Sequence, residues 1–390
     1  MTCALCKNDT SAECINLGKQ PLANKYPTPA QFETEKFYPM RVLFCTTCKN
    51  VQLGELISRA EMFEDYYYLS SVNQGLVRHF NALADELKDA NIVVDIGSND
   101  GILLRPLKAL GVRAVGIEPS VNVSKLANDE ALTTITSFFN AESVSRVIAE
   151  YGKADVVVCS SVFTHLEDPH QAIEDVKNLM SDDGRFIIEV EYLGDIIKNV
   201  QFERFYFDRP FYYSLTSLSN LFEGHGMHVS DVAHIEPHGG SLRVTVRHGA
   251  GKGSDAVYAL LAEEDTTLTR EHLEIFKDTT ASYIADFKKR LEAYKVEGVS
   301  VAAYSAPARV ATITNYGDIG PDLIEFIVDD SPLKQGRTSP GKHIPIVSKE
   351  HLEANHRDVL VVFAYEYLED IKKKTGGAYR YLIPIPPREG

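Results

Sequence analysis

The residues of this 390-residue chain with the widest chemical reach are four cysteines set as two Cys-x-x-Cys pairs, Cys3/Cys6 and Cys45/Cys48. Each such turn offers two sulfurs to one ion, and zinc thiolates close as tetrahedra. The four therefore predict one complete zinc site with no position left for water or substrate, a structural rather than a catalytic metal. Unmetallated thiols or a redox pair are the alternatives. Cys14 and Cys159 lack such spacing and read as packed core residues.

A second constellation is "VVDIGSNDG", residues 93–101. An apolar run ends at Asp95, and Gly97 and Gly101 bracket a tight turn into a helix, where backbone can approach a ligand closely. The next strand closes on Glu118 and Pro119, where a carboxylate takes both hydroxyls of a ribose. The glycine spacing is not that of dinucleotide binders. S-Adenosylmethionine has a ribose, an adenine, an amino-acid zwitterion and no phosphate, so it suits a turn that also carries Asn99 and Asp100. An ordinary strand-turn-helix junction is the competing reading. Phe138, Phe139, Ser160 and Ser161 fall at later strand ends and are expected around the adenine and methionine parts. Taken alone, either phenylalanine is as readily a core residue. His165, in "VFTHLEDP", is expected near the transferred methyl.

A third stretch, "FERFYFDRPFYYS" (residues 202–214), has seven aromatic side chains and, among its polar residues, Arg204, Asp208 and Arg209. Such density suits a packed domain interface. Its place after the fifth strand of the pattern below suits a lid over the methyl donor.

The elements that must position these residues follow from periodicity. Short β-rich runs, each followed by an amphipathic helical pattern, extend from "NIVVDIGS" to "GRFIIEVEYL" and predict a parallel, doubly wound sheet. "GMHVSDVAHI" and "GSLRVTVRH" then add an antiparallel hairpin. The expected fold is α/β: a zinc-binding module over 1–70, a seven-stranded Rossmann-like class I methyltransferase domain over 71–250, and a smaller Rossmann-like domain over 251–390. A charged stretch near 256–297 reads as a solvated connecting helix. The net charge of −15 opposes nucleic acid and anionic membranes. No apolar run reaches the length of a membrane span, and a cytoplasmic location is expected.

The two cysteine pairs, "DYYYLSS", "DIGSNDG", "VFTHL", the segment after Glu191, "SLTSLSNLFEGHG", "PHGGSLR", "YSAPAR" and "VDDSPLKQGRTSPGKHIPI" lie in that order along nearly the whole chain. As a set they resemble the nucleotide-sugar C-methyltransferases that build branched deoxysugars. The resemblance implies a nucleoside-diphosphate 4-keto-6-deoxyhexose substrate, whose ketone acidifies the proton on C3 so that a base can form an enolate to receive the methyl group. In that family a segment close to Tyr-His-Glu-His supplies the base from its second histidine. This chain has Tyr206, Phe207, Asp208 and Arg209 there. Phe207 exchanges no protons, and Arg209 stays protonated, so it serves as an enolate or anion partner and not as a base. Candidates for proton transfer are then Asp208, His165, Tyr206, His238 and Tyr68, with Asp208 and His165 foremost.

For the substrate, the resemblance points to "PHGGSLR" with His238, Ser241 and Arg243, which is otherwise a plain hairpin turn. It also points to Arg309 and Asn315 after "YSAP" and to Lys334 and Arg337, a local basic grip for a diphosphate. The family's Trp-Asn is Tyr365-Glu366 here. A monomer or homodimer is expected. Transfer to oxygen or nitrogen, or a binding protein without catalysis, are the alternatives.

Overall fold

The computed structural model describes residues 2–58, 62 and 69–390, so Tyr68 lies outside the described residues. Near the N-terminus, β1 (Ser11–Pro21), β2 (Phe37–Cys45) and β3 (Val51–Leu53) form an antiparallel meander. The cysteine turns sit at its base.

The central region alternates as its pattern predicts. Helix α1 (Gln74–Glu86) is capped by the Asn73 side chain, which accepts from the amides of Gly75 and Leu76. There follow β4 (Ile92–Ile96), α2 (Leu104–Ala109), β5 (Arg113–Ile117), α3 (Val121–Asp129), β6 (Thr134–Ile135), α4 (Ala141–Tyr151), β7 (Ala154–Ser160), α5 (Pro169–Leu179), β8 (Met180–Glu191) and α6 (Leu193–Lys198). After β9 (Phe211–Tyr212) come α7 (Leu215–Glu223), β10 (Met227–Ile235) and β11 (Ser241–His248). The sheet order is β10-β11-β8-β7-β4-β5-β6, and β11 runs antiparallel to both neighbours while the other adjacent pairs are parallel. This is the seven-stranded arrangement expected for a class I methyltransferase.

Beyond it lie α8 (Asp255–Thr267), α9 (Arg270–Val296), β12 (Val301–Tyr304), α10 (Arg309–Tyr316), β13 (Ile327–Val328), β14 (Ile346–Val347), α11 (Lys349–Ala354), β15 (Val359–Val362), α12 (Leu368–Lys374), β16 (Arg380–Pro384) and β17 (Pro387–Glu389). Their sheet, β14-β13-β12-β15-β16-β17, is parallel except for the last strand.

Two features depart from the sequence reading. The charged stretch near 256–297 is two helices, broken where Thr269 caps α9, and it is not simply solvated. Leu273, Phe276, Ile284, Phe287 and Leu291 recur at helical spacing on α9 and are buried in the C-terminal core. The stripe was hidden in the sequence by the charges between its members. Second, β9 comes from the aromatic stretch but pairs with β3, Val51 opposite Tyr212 and Gln52 opposite Phe211. The N-terminal sheet is therefore completed by residues from deep in the central region, and the peptide just before this strand is held too, since Leu53 N–H donates to the Pro210 carbonyl at 2.9 Å.

Candidate active site

Strand parity builds the site. On the sheet face under α1, Val93, Val156, Val158 and Ile187 pack with Leu76, Phe80 and Leu83. Two residues further along the same strands, on the same face, the apolar row gives way to Asp95, Ser160 and Glu189, and then Glu191 (period 2). The carboxyl edge of the sheet is thus a polar shelf above an apolar floor. Burial pushes the Asp95 carboxyl well above its ordinary value, and the carboxylates of Glu118 and Glu189 add to the rise. A cationic ligand would relieve that cost.

Beside the shelf, Glu118 is anchored by backbone: the amides of Asn99 and Ser120 donate to its two oxygens at 3.1 and 2.8 Å. Gly97 and Gly101 have φ of +72° and +84°, and a Cβ on them would overlap Val162 and Leu132 respectively. Both glycines are therefore required by conformation and by space. The Asn99 and Asp100 side chains fasten the segment before α1. Asn99 accepts from the Ser70 amide at 2.9 Å, and Asp100 from the Ser71 hydroxyl at 2.9 Å. Phe138 is exposed, whereas Phe139 packs against the core. Pro119 follows Glu118 into α3. Ser161, with φ of +57°, turns the chain after β7, and Ser160 donates to Glu189 at 2.6 Å.

Glu189 was not foreseen from sequence. Burial alone would raise its carboxyl, but hydrogen bonds from His79 and Ser160 and the charge of Arg243 hold it below its ordinary value. His79 Nε2 lies 2.9 Å from each of its oxygens. Arg243 spans the shelf, donating Nε to Glu189 at 2.8 Å and Nη1 to Glu86 at 3.0 Å.

The aromatic stretch lies over this edge and resolves as both an interface and a polar site. Phe202, Phe205, Phe207 and Tyr212 are buried in one apolar cluster with residues of β1, β2 and the C-terminal helices, so Phe207 is a core residue. Tyr212 Oη accepts from the Tyr206 amide at 3.0 Å and donates to the Arg204 carbonyl at 2.9 Å, which fixes the turn. Arg209 makes a buried ion pair with Glu191 at 2.5 Å and lies 5.0 Å above the Tyr206 ring. Burial would depress this guanidinium, but Glu191 and the surrounding groups more than reverse that, so Arg209 is a fixed cation. Burial raises the Tyr206 phenol against the opposing pull of Arg209.

Asp208 is buried and accepts at Oδ2 from Asn24 Nδ2 at 2.5 Å. Burial raises its carboxyl above the ordinary range even though the Asn24 amide and Arg209 pull it down. Its main-chain carbonyl accepts from His165 Nδ1. That acceptor fixes the tautomer: Nδ1 carries the proton, and Nε2 is the nitrogen able to take one. Asp208, His165, Tyr206 and Arg209 are therefore brought together. The loop containing "PHGG" turns at Pro237–Gly239, and the His238 side chain lies outside the described residues.

The basic residues expected at the nucleotide are engaged within the protein. Arg309 meets Glu366 at 2.9 Å and lies 4.9 Å above Tyr365, and Arg204 meets the same carboxylate at 2.7 Å. Tyr365 donates to Glu203 at 2.5 Å. Lys334 donates to the Ala306 carbonyl at 3.0 Å, Arg337 to the Tyr26 carbonyl at 3.0 Å, and Asn315 to the Ala311 and Pro340 carbonyls at 2.7 and 3.0 Å. Asn315 is thus a helix and loop brace.

At the N-terminus the two cysteine turns are near copies. Lys7 and Lys49 donate their amides to the carbonyls of Cys3 and Cys45 at 3.0 and 2.8 Å. Both lysines have positive φ, 61° and 57°. The four sulfurs lie within 4.8 Å of one another, with Cys3–Cys48 at 3.7 Å and Cys6–Cys45 at 3.6 Å. A tetrahedral ion with Zn–S bonds of about 2.3 Å needs sulfurs about 3.8 Å apart, so the donor set fits zinc.

Three family models match in succession: a "zinc binding domain" over residues 3–63, a "Methyltransferase domain" over 42–232 and a "C-methyltransferase C-terminal domain" over 236–386. C-methyltransferase NovU of Streptomyces niveus is 31% identical over 399 aligned positions, covering 98% of this chain and 95% of that protein. The ubiquinone biosynthesis O-methyltransferase of Glaesserella parasuis serovar 5 (strain SH0165) is 28% identical over 106 positions, 25% of this chain and 43% of that protein. The SAM-bound crystal structure of magnesium protoporphyrin IX methyltransferase (ChlM) from Synechocystis PCC 6803 is 18% identical with a TM-score of 0.34, over 45% of this chain and 79% of that one.

Proposed function

This chain belongs to the C-methyltransferases that join a zinc-binding domain, a methyltransferase domain and a C-methyltransferase C-terminal domain, and on that premise we propose that it methylates C3 of a nucleoside-diphosphate 4-keto-6-deoxysugar. It is an S-adenosylmethionine-dependent methyltransferase. When bound, that cofactor supplies an electrophilic methyl group on a sulfonium; Glu118 would hold its ribose, with Asp95 and the Gly97–Gly101 turn beside its amino-acid part.

The observation that carries the reading is the buried Asp208 carboxyl, raised by desolvation and set among His165, Tyr206 and Arg209. Removing the C3 proton asks for a base of raised proton affinity, and shielding a carboxyl from water moves it in that direction. Asp208 would take the proton. The charge that then develops on the C4 oxygen needs a donor already in place. Tyr206, kept as a phenol, and the fixed cation Arg209 would provide it. His165 supports the site by holding the Asp208 main chain. The sugar acceptor and the branched-deoxysugar role rest on the motif resemblance.

The test uses a panel of nucleoside-diphosphate 4-keto-6-deoxyhexoses in heavy water, with and without S-adenosylmethionine, read by mass spectrometry and NMR. Deuterium entering at C3 without cofactor, and a methyl gain on that carbon with it, is the expected result. A methyl gain without exchange at C3 would move the acceptor to oxygen or nitrogen and sink the carbon reading.

A further inference from the structure

Asn24 belongs to the N-terminal module, 184 residues before the aspartate whose side chain it meets. It follows β1 in "PLANKYP", between buried Leu22 and buried Tyr26, and this loop is fastened on its far side to the C-terminal domain. Tyr26 donates its hydroxyl to the Ala306 carbonyl at 2.8 Å, and Arg337 donates to the Tyr26 carbonyl at 3.0 Å. The other end of the Asp208 segment is fixed to the same module through β9 and the Leu53–Pro210 hydrogen bond. The module therefore grips this turn twice, once through the backbone beyond Asp208 and once through the Asn24 amide on its carboxylate. We propose that Asn24 is the positioning residue for the Asp208 carboxylate, so that the zinc-binding module supplies part of the catalytic apparatus. The proposal rests on the reading of Asp208 as proton acceptor.

The chemistry follows from the donor. An amide N–H stabilises the ionised carboxylate and occupies one lone pair of Oδ2, which orients the group. Among the described residues, the other titratable or charged groups around Asp208 are Arg209 and Tyr206 from its own segment, Tyr26 from the module, His165 on its main-chain carbonyl, and Glu191 behind Arg209. Among the described side chains, Asn24 is the one that bonds the carboxylate itself. Removing its donor leaves burial opposed only by Arg209 and the residue's own backbone amide, so the carboxyl rises further. The acid limb of proton abstraction then moves to higher pH.

The experiment follows C3–H exchange in heavy water against pH for the full chain, using whichever 4-keto-6-deoxyhexose nucleotide the wild type exchanges, with Asn24→Ala, Asn24→Asp and Asp208→Asn. Zinc content and melting temperature report folding, and 13C NMR of aspartate-labelled protein follows the Asp208 carboxyl directly even in a variant with weak exchange. Expected are an upward displacement of the acid limb by about 0.5–1 pH unit in Asn24→Ala, a larger one in Asn24→Asp where two acids share the site, and an unchanged dissociation constant for S-adenosylmethionine. An inactive Asp208→Asn beside an Asn24→Ala profile and carboxyl titration that both stay put would overturn the role of Asn24 alone. An Asp208→Asn variant that exchanges C3–H normally would overturn both this role and Asp208 as the base.

Discussion

At Asp208, stability and activity pull in opposite directions. Its carboxyl is raised in the folded chain, so its contribution to stability is present below the ordinary carboxylate range and is lost as pH rises through the native value. At neutral pH the buried charge is a cost. Asp208→Asn should therefore melt no lower than wild type at pH 7.5, lose any advantage at pH 4, and reduce turnover by about 10²–10⁴-fold, as expected for a lost general base. Paired thermal melts and kinetics check this; a variant that melts lower and works normally contradicts the assignment. Arg209 behaves differently. Removing its partner by Glu191→Gln leaves a cation in place without its counter-charge, and such changes cost about 3–5 kcal/mol. Denaturant unfolding of that variant should show a loss of this size.

Among the elements, the β4–α2 turn has the strictest geometry. Gly97→Ala would force a Cβ into Val162 at a φ of +72°, so we expect a lower melting temperature and a cofactor affinity weakened at least tenfold by calorimetry, whereas Gly111→Ala, with φ of +80° but open space, should cost stability without touching the cofactor. This turn was legible in the sequence because everything it needs is local: an apolar strand, two glycines and an acid on the next strand. The polar shelf was half legible. Asp95 and Ser160 carry recognisable positions, while Glu189 sits inside "FIIEVEYL", where alternation alone does not say that its side chain stays buried with His79 and Arg243. Asn24 and Glu366 were silent for a simpler reason. Their partners lie 184 and 162 residues away, and no local pattern encodes such a pairing. Likewise, "DSPLKQGR" shows basic residues but not the carbonyls that Lys334 and Arg337 already hold.

For the whole molecule, the contacts between its parts decide how its regions communicate. Glu366 joins Arg204 of the aromatic stretch to Arg309 of α10, and the Gly239 backbone packs against the pair. Two guanidiniums held on one carboxylate form a ready fork for an anionic ligand, with Glu366 as its competitor. Glu366→Gln should lower the melting temperature, since two cations lose their counter-charge, and should lower KM for the proposed nucleotide-sugar substrate severalfold; a raised KM would show that Glu366 helps to bind substrate. Zinc acts over a longer reach. Cys45 ends β2 and Cys48 precedes β3, which pairs with β9 and so holds the turn that carries Asp208. One zinc per chain is expected by elemental analysis. Stripping it under reducing conditions should lower both turnover and the melting temperature, because Cys3, Cys45 and Cys48 pack in the same apolar core as the methyltransferase sheet.

The strand β9 also imposes an order of events during synthesis. A nascent chain that has emerged only through residue 70 holds all four cysteines and the meander, yet β3 still shows an unpaired edge until residues 211–212 leave the ribosome. At a translation rate of about 5–20 residues per second, that edge stays open for roughly ten to thirty seconds. The N-terminal module is first to be made and cannot finish its sheet until the central domain is nearly complete, so chaperone engagement or misassembly during translation should concentrate at this edge.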